Sequence, residues 1–454
     1  MEEHPKALVC STKPFVLVII NETFENSFSG FCIFSMIVWC LKHSGIAGVK
    51  KEDDAVASSP LTKSLQDRRV NCDRSQKSYD LCTINAPTVL DPTTSSFHVH
   101  TPFPPYTAEK IRPYPRKWEP FTMNRIKELY ITSGRPSPPC KARHSAPAIV
   151  FSAGGYTGNF FHDFNDGFVP IFITVNTIFP NNQDFVFVIS KARRWWVSKY
   201  ADLLRTFSNH PIVDLDNDNS TTHCFPSATL GVISHGFMKI DPALTPNSVT
   251  FRHFRAFLDR AYNRGQNHHS TASKSRPRLV LASRSGGIGR VILNQNDLKR
   301  VAEEVGFQVI VFEPTPRTPL HQAYGIINSS DAMVGVHGAA LTHSLFLRRG
   351  SVLIQVVPIG AEWVAEACFG NSAKAMGLEY MEYRMGEEES SLVDKYSKDS
   401  LVLKDPVGLQ GNNWSSAIMD IYLKEQNVRL DLVRFRKYLK KAYLKAKMFM
   451  NRKG

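Results

Sequence analysis

Residues 331–360 read DAMVGVHGAALTHSLFLRRGSVLIQVVPIG. Met333 to Val336 form an apolar run of strand length, and His337-Gly338-Ala339-Ala340 follow as a turn of small residues that lets backbone approach backbone or ligand. A short helical pattern continues through Leu341, Leu345 and Phe346 and stops at Gly350. Ser351 to Pro358 is a second buried strand, closed by a proline that cannot donate to a ladder. Strand, helix and strand in this order make the βαβ unit from which parallel sheets are built. Ligands of such sheets bind beyond the carboxyl ends of the strands, where free N–H groups and the helix dipole favour anionic phosphate. The same small-residue turn also suits plain packing of helix on strand.

The chain has 454 residues, enough for two or more domains with sizeable cores. Lys and Arg number 55 against 41 Asp and Glu, a net charge of 55 − 41 = +14 that favours an anionic ligand or surface. The basic residues are scattered and form no nucleic-acid module, and the densest run, Arg434 to Lys447, reads as a solvated amphipathic helix. The eight cysteines show no zinc-type Cys-x-x-Cys pairs, while Cys72 and Cys82 are close enough for a local disulfide in an oxidising compartment. Asn219, Asn328 and Asn413 head sequons that would be open to glycosylation there.

Outward from the opening stretch, the chain divides by composition. Residues 28–41, FSGFCIFSMIVWCL, carry no charge and read as a short signal anchor behind a cytosolic tail of 1–27. Lys42, Lys50 and Lys51 lie on the far side, against the positive-inside rule for a lumenal domain, and a buried helix is the competing reading. Residues 42–105, rich in Ser, Thr, Pro, Asp and Lys, read as a stem, and the proline-rich 102–120 as a wrap around the start of the fold. Strand and helix patterns over 106–266 suggest a first doubly wound domain. After the polar link 267–277, residues 278–411 suggest a second, and 412–454 a closing helical segment.

Three constellations could carry chemistry. In NFFHDFNDG, 159–167, His162 and Asp166 share a helix face four residues apart, so a carboxylate could hold an imidazole in one tautomer or act as a base. Helix capping by Asn and Asp explains the same composition. In LASRSGGIGRVILN, 281–294, glycines free the backbone to surround phosphate, and Arg284 and Arg290 supply charge. A dinucleotide fingerprint would need a further glycine at 291 or 292, which argues against hydride transfer. Glu313, at the end of the 309–312 strand, could accept a sugar or ribose hydroxyl or simply face water.

The ordered motifs GGYTGNFFHDFNDGFVPIF, SRSGGIGRVILN, VGVHGAALTHSLFLRRGS and QVVPIG, with EESSL, QNVRLDLVRF and the cysteine-bearing CDRSQKSYDLC, resemble glycosyltransferase family 61, in particular its plant branch that decorates xylan. The resemblance covers roughly residues 70–447. It implies an α/β fold of GT-B type, two Rossmann-like domains facing across a cleft, with 412–454 bracing the first domain and a membrane anchor and stem in front. It further implies an inverting transfer of a pentose, arabinofuranose or xylose, from a UDP-sugar to xylan, in the Golgi lumen and without a required cofactor or metal. Asp214-Leu215-Asp216 matches the bare Asp-x-Asp pattern of metal-dependent enzymes but reads as a loop after a strand. On this reading Asp166 or His162 is the base, and Arg284, Arg290 and the N–H groups around Gly338 neutralise the departing diphosphate. Ala339, Ala340, His337, Thr342, His343 and Glu313 complete the nucleotide-sugar wall. Competing functions are a transferase of the same family acting on glycoproteins, and a basic binding protein without activity.

Overall fold

The computed structural model describes residues 69–100, 108–133, 137–180, 184–218, 220–263, 275–287, 289–411 and 414–451. The expected tail and anchor, and with them Asn219 and Asn413, lie outside the described residues. Among the described residues no helix is long and apolar enough to cross a membrane.

The carboxyl-terminal half is a five-stranded parallel sheet in the order Gln308–Phe312, Arg278–Ala282, Ala332–Val336, Val352–Val357, Glu379–Arg384. Its chain order is therefore 2-1-3-4-5, and the direction of winding reverses between Arg278–Ala282 and Ala332–Val336. Loops leaving these two strands, 283–290 and 337–338, flank the switch point, where such sheets bind ligands. Every residue of Ala332–Val336 and Val352–Val357 is buried, as near-continuous apolar strands covered on both faces should be. Between them, Ala339–Phe346 is a 3₁₀ helix, tighter than the expected α-helix and with a less regular dipole.

The amino-terminal half holds a second parallel set, Ala228–Leu230, Ala148–Ser152, Val186–Ser190 and Val213–Asp214, chain order 4-1-2-3. It differs from a doubly wound domain. Alternation along the strands sends Ile149, Phe151, Phe187 and Ile189 towards helices, while Ala148, Val150, Val186 and Val188 face a second six-stranded sheet. That sheet includes Thr88–Asp91 and Ser96–Val99, so regular structure begins inside the segment expected as a stem. The pattern was obscured because these strands are four residues long and polar residues, Thr88 and Ser96, take some of their buried positions. Cys72 and Cys82 face each other across the hairpin Val70–Asp73/Leu81–Ile84 and are bonded; Cys140 and Cys224 form a second disulfide.

The two halves share one core. Phe164, Phe168 and Phe172 pack in the same cluster as Phe254, Tyr324, Leu345 and Phe346. Arg255, on the Phe251–Tyr262 helix, donates to the carbonyls of Phe346 and Leu347 at 2.8 and 2.9 Å and to Asn328 Oδ1 at 2.7 Å. The last helix, Leu432–Asn451, does not brace the first half as expected. Its Phe435, Leu439, Ala442 and Ala446 join the core of the carboxyl-terminal sheet, and Tyr443 meets Phe307 edge to face. An apolar stripe on a helix does not name the surface that will receive it.

Candidate active site

The first wall grows from the central strand Ala148–Ser152. Gly155, at φ +60°, turns the chain where a Cβ would lie 2.6 Å from the Tyr114 ring, so only glycine lets Tyr114 close on the loop. Asn159 caps the following helix by accepting from Phe161 N at 3.0 Å. One turn on, the backbone widens into a π-helical stretch, Asp163–Phe168, between Phe160–His162 and Val169–Ile178. Such insertions recur at functional sites.

His162 and Asp166 lie on this stretch, with His162 Nδ1 2.8 Å from Asp166 Oδ2. Asp166 is 3% exposed and saturated with donors: Tyr114 Oη at 2.9 Å, Arg116 Nε at 3.0 Å and Asn165 Nδ2 at 2.6 Å. Burial alone would raise the Asp166 carboxyl, but the hydrogen bond from His162 and the charge of Arg116 outweigh it and hold the group below the usual carboxylate range. An ionised carboxylate can only accept, so Nδ1 of His162 carries a proton towards Asp166. Arg116 Nη2 also lies 3.1 Å from Nδ1, but the shorter contact to the opposite charge decides the tautomer. Tyr156 stacks on the imidazole at 4.5 Å.

Asp163 does different work. It accepts from Tyr200 Oη at 2.7 Å, Trp196 Nε1 at 3.2 Å and Gly158 N at 3.2 Å. Burial raises its carboxyl despite these bonds. It joins helix to loop within the core.

The second wall lies at the switch point of the carboxyl-terminal sheet. Gly338 has φ +147°, and a Cβ there would stand 2.5 Å from Arg284 Nη2 and 2.9 Å from Arg290 Nη1. Both guanidinium groups thus crowd one small-residue turn. Arg290 Nη1 donates to His337 O at 3.2 Å, and Arg284 Nη1 lies 3.4 Å from Gly289 O. Among the described residues no carboxylate acts on either group, and the buried Nε of Arg290 has no partner. Burial lowers Arg284, and burial with the neighbouring Arg284 charge lowers Arg290 to about 9. Two half-buried cations without an anion make a site that a diphosphate would complete.

His337 is 4% exposed and pushed down to about 3 by burial, Arg290 and Arg284. Gln355 Nε2 donates to its Nδ1 at 3.0 Å while Gln355 Oε1 accepts from Tyr380 Oη at 2.9 Å, which fixes the amide and leaves the proton on His337 Nε2. His343 is held neutral as well, down to about 4, chiefly by burial, and donates from Nδ1 to Ala340 O at 2.9 Å. Thr342 is buried in the same turn, its hydroxyl without a partner. Ala339 and Ala340 begin the 3₁₀ helix beside Gly338. Glu313 is exposed and accepts from Ser285 of the glycine loop.

Aromatic rings join the walls: Phe160 stacks on His343 at 4.2 Å, and Phe369 meets Phe161 at 5.5 Å and His337 at 5.4 Å. Asp214 and Asp216 stand apart, with Asp214 accepting from Asp216 N and Asn217 and Asp216 paired to Lys127 at 2.8 Å. Asn328 gives its side-chain oxygen to Arg255, and Ser330 of its sequon is fully buried.

Sequence reasoning missed Tyr114 and Arg116, which leave the proline-rich wrap to enter the site, and it missed the support of Arg290. Arg290 has φ +60°; its N–H donates to Gln426 O at 2.5 Å, Val291 N to Asn427 Oδ1 at 3.0 Å and Leu293 N to Val428 O at 2.7 Å. The buried Gln426 side chain is itself pinned by Ile359 and Ser390. A guanidinium on a constrained backbone is preorganised for its ligand.

Residues 158–354 match the Glycosyltransferase 61 family, the segment that carries His162, Asp166, Arg284, Arg290 and Gly338. A xylan glycosyltransferase of Arabidopsis thaliana is 38% identical over 426 residues, covering 88% of this chain and 85% of that protein. The chain belongs to glycosyltransferase family 61. Further relatives of this transferase in Oryza sativa subsp. japonica are an alpha-1,3-arabinosyltransferase, 35% identical over 82% of this chain and 64% of that protein, and a beta-1,2-xylosyltransferase, 37% identical over 74% and 72%.

Proposed function

We propose that this family 61 transferase moves a pentose, arabinofuranose or xylose, from a UDP-sugar to xylan with inversion at the anomeric carbon. The observation that carries the reading is the unpaired Arg284–Arg290 couple at Gly338, joined through Phe369 to the wall of the Asp166–His162 pair. The names of the three relatives supply the sugar class and the acceptor. Two α/β halves meeting around these walls suit a GT-B enzyme, with the donor held by the second half.

In this mechanism Asp166 holds His162 with its Nε2 lone pair free, and Nε2 takes the proton of the acceptor hydroxyl. The hydroxyl oxygen forms a bond to the anomeric carbon as the bond from that carbon to the diphosphate oxygen breaks, and the electron pair leaves with UDP. Arg284, Arg290 and the N–H groups after Gly338 stabilise the developing charge, fixed cations doing what a metal does elsewhere. Neutral His337, with its proton on Nε2, offers the donor a hydrogen bond without adding charge. Thr342 and His343 line the turn behind it, and Glu313 orders the glycine loop through Ser285. Two disulfides suit an oxidising lumen, and residues 28–41 would serve as the Golgi anchor.

The test is to incubate the purified chain with UDP-arabinofuranose or UDP-xylose and xylo-oligosaccharides and weigh the products. A mass gain of one pentose, lost in His162→Ala, is expected. Transfer to an N-glycan or protein acceptor with none to xylan would overturn the acceptor assignment.

A further inference from the structure

Four aromatic rings run in unbroken contact away from the Arg116–Asp166–His162 cluster. Arg116 lies 5.6 Å from the Trp118 ring, 5.3 Å from Tyr156 and 5.3 Å from Phe237. Trp118 and Phe237 are 6.1 Å apart, Phe237 and Trp363 6.1 Å, and Trp363 and Trp414 6.3 Å. Trp118 is 45% and Trp363 58% exposed, and Phe237 and Trp414 are part-exposed. Single exposed aromatics need no explanation, but a contiguous file of them does. Trp118 and Phe237 come from the first half, Trp363 and Trp414 from the second, so an occupant of the file would lie along both.

We propose that Trp118, Phe237, Trp363 and Trp414 form an acceptor track that holds several consecutive sugars of the polysaccharide next to the one being modified. The proposal rests on the transferase reading above for where the track leads. Its own support is chemical. A β-linked pentopyranose chain has no hydroxymethyl group at C5, so its rings present flat C–H faces that stack on indole and phenyl surfaces. The track offers such faces. Its near end is fixed by Arg116, which bonds Asp166 and lies over two of the track's rings, Trp118 and Phe237, so a chain lying on the track has one sugar delivered to His162. A peptide would instead call for unpaired backbone donors or acceptors along an edge, and the file presents side-chain rings.

The experiment compares wild type with Trp363→Ala, Trp414→Ala and the double variant, with Leu444→Ala on the last helix as a distant control. Each purified protein is run in native gels with and without xylan, and KM is measured for short and long xylo-oligosaccharides. Far-UV circular dichroism and melting check the fold. Truncating one exposed ring should weaken xylan binding about fivefold and both about twentyfold. KM should rise by these factors for a hexasaccharide and by less than twofold for a disaccharide. Loss of gel retardation together with this length dependence supports the track. Equal retardation of wild type and folded double variant, or no retardation of wild type, overturns it. Retardation lost in the variant from a wild type that transfers nothing to xylan leaves the track standing and removes the transferase reading. Transfer by all variants with unchanged length dependence does the reverse.

Discussion

Replacing Arg290 by methionine should leave the nucleotide-free protein at least as stable and make it blind to UDP. Arg290 lies beside Arg284 with no acidic partner among the described residues, and burial and that neighbour push its guanidinium from the ordinary arginine value down to about 9. At about 1.4 kcal/mol per pH unit this corresponds to roughly 5 kcal/mol, an upper bound that solvent screening and relaxation reduce to about 1–3 kcal/mol. Methionine keeps the stem and removes the charge. It forfeits one hydrogen bond to His337 O, about 1 kcal/mol. The net expectation is a gain of about 0–2 kcal/mol. At about 2.1 cal/mol/K per residue, a chain of 454 residues gains on the order of 1 °C in Tm for each kcal/mol. Saturating UDP at a hundred times Kd should add about 2.7 kcal/mol to wild type and nothing resolvable to the variant. Differential scanning calorimetry with and without UDP reads both quantities. A variant that melts below wild type and still shifts with UDP would refute the reasoning, because the cation would then be neither a cost to the apo fold nor a contact for phosphate.

Asp166→Asn should lower kcat by about 10²–10⁴ with UDP affinity kept within a few-fold, since the carboxamide no longer holds the His162 tautomer and the donor wall is untouched; steady-state kinetics beside UDP calorimetry checks this. The same change removes one of the two carboxylates paired with Arg116, leaving Glu119 at 2.6 Å, and should cost about 1–3 kcal/mol at neutral pH by urea denaturation. Because the folded Asp166 carboxyl lies below its ordinary value, that contribution is present above about pH 4, the unfolded range. It is lost as pH falls through the folded value, so the stability gap between wild type and variant should close in acid. Gly289→Ala, at φ +70°, would press a Cβ into the carbonyl of Lys424 and should weaken UDP binding at least tenfold in the same calorimetric titration. Serine at both Cys140 and Cys224, which close a loop of 84 residues, should lower Tm more than serine at Cys72 and Cys82, 10 apart, by roughly 2 kcal/mol of chain entropy.

The central strands of the second half's parallel sheet were legible because they are buried on both faces and read as continuous apolar runs, whereas the edge strand Glu379–Arg384, half-exposed and polar, was not. Val334, Ile354 and their neighbours leave no other assignment. The first half hid its second sheet, since four-residue strands such as Thr88–Asp91 carry too little periodicity to be told from a polar stem. His162 and Asp166 could be paired from spacing alone. Choosing between them needed Tyr114 and Arg116, whose separation of about 50 residues from the pair no local pattern reveals. Arg284 and Arg290 were visible as charges near glycines, but their lack of a partner is a statement about everything around them. The direction of the last helix failed for a similar reason: Phe435 and Leu439 mark an apolar stripe and leave its destination open.

The bonds from Gln426, Asn427 and Val428 to the backbone at 290–293 also set an order in time. A ribosome finishes the Arg284–Arg290 loop more than a hundred residues before it makes the segment that shapes it, and synthesis adds only about 5–20 residues per second. The Arg284–Arg290 loop of a nascent chain therefore waits without its braces until residues 426–428 have been made. A chain cut short before Gln426 would carry Arg284, Arg290 and Gly338 without the bonds that hold their loop.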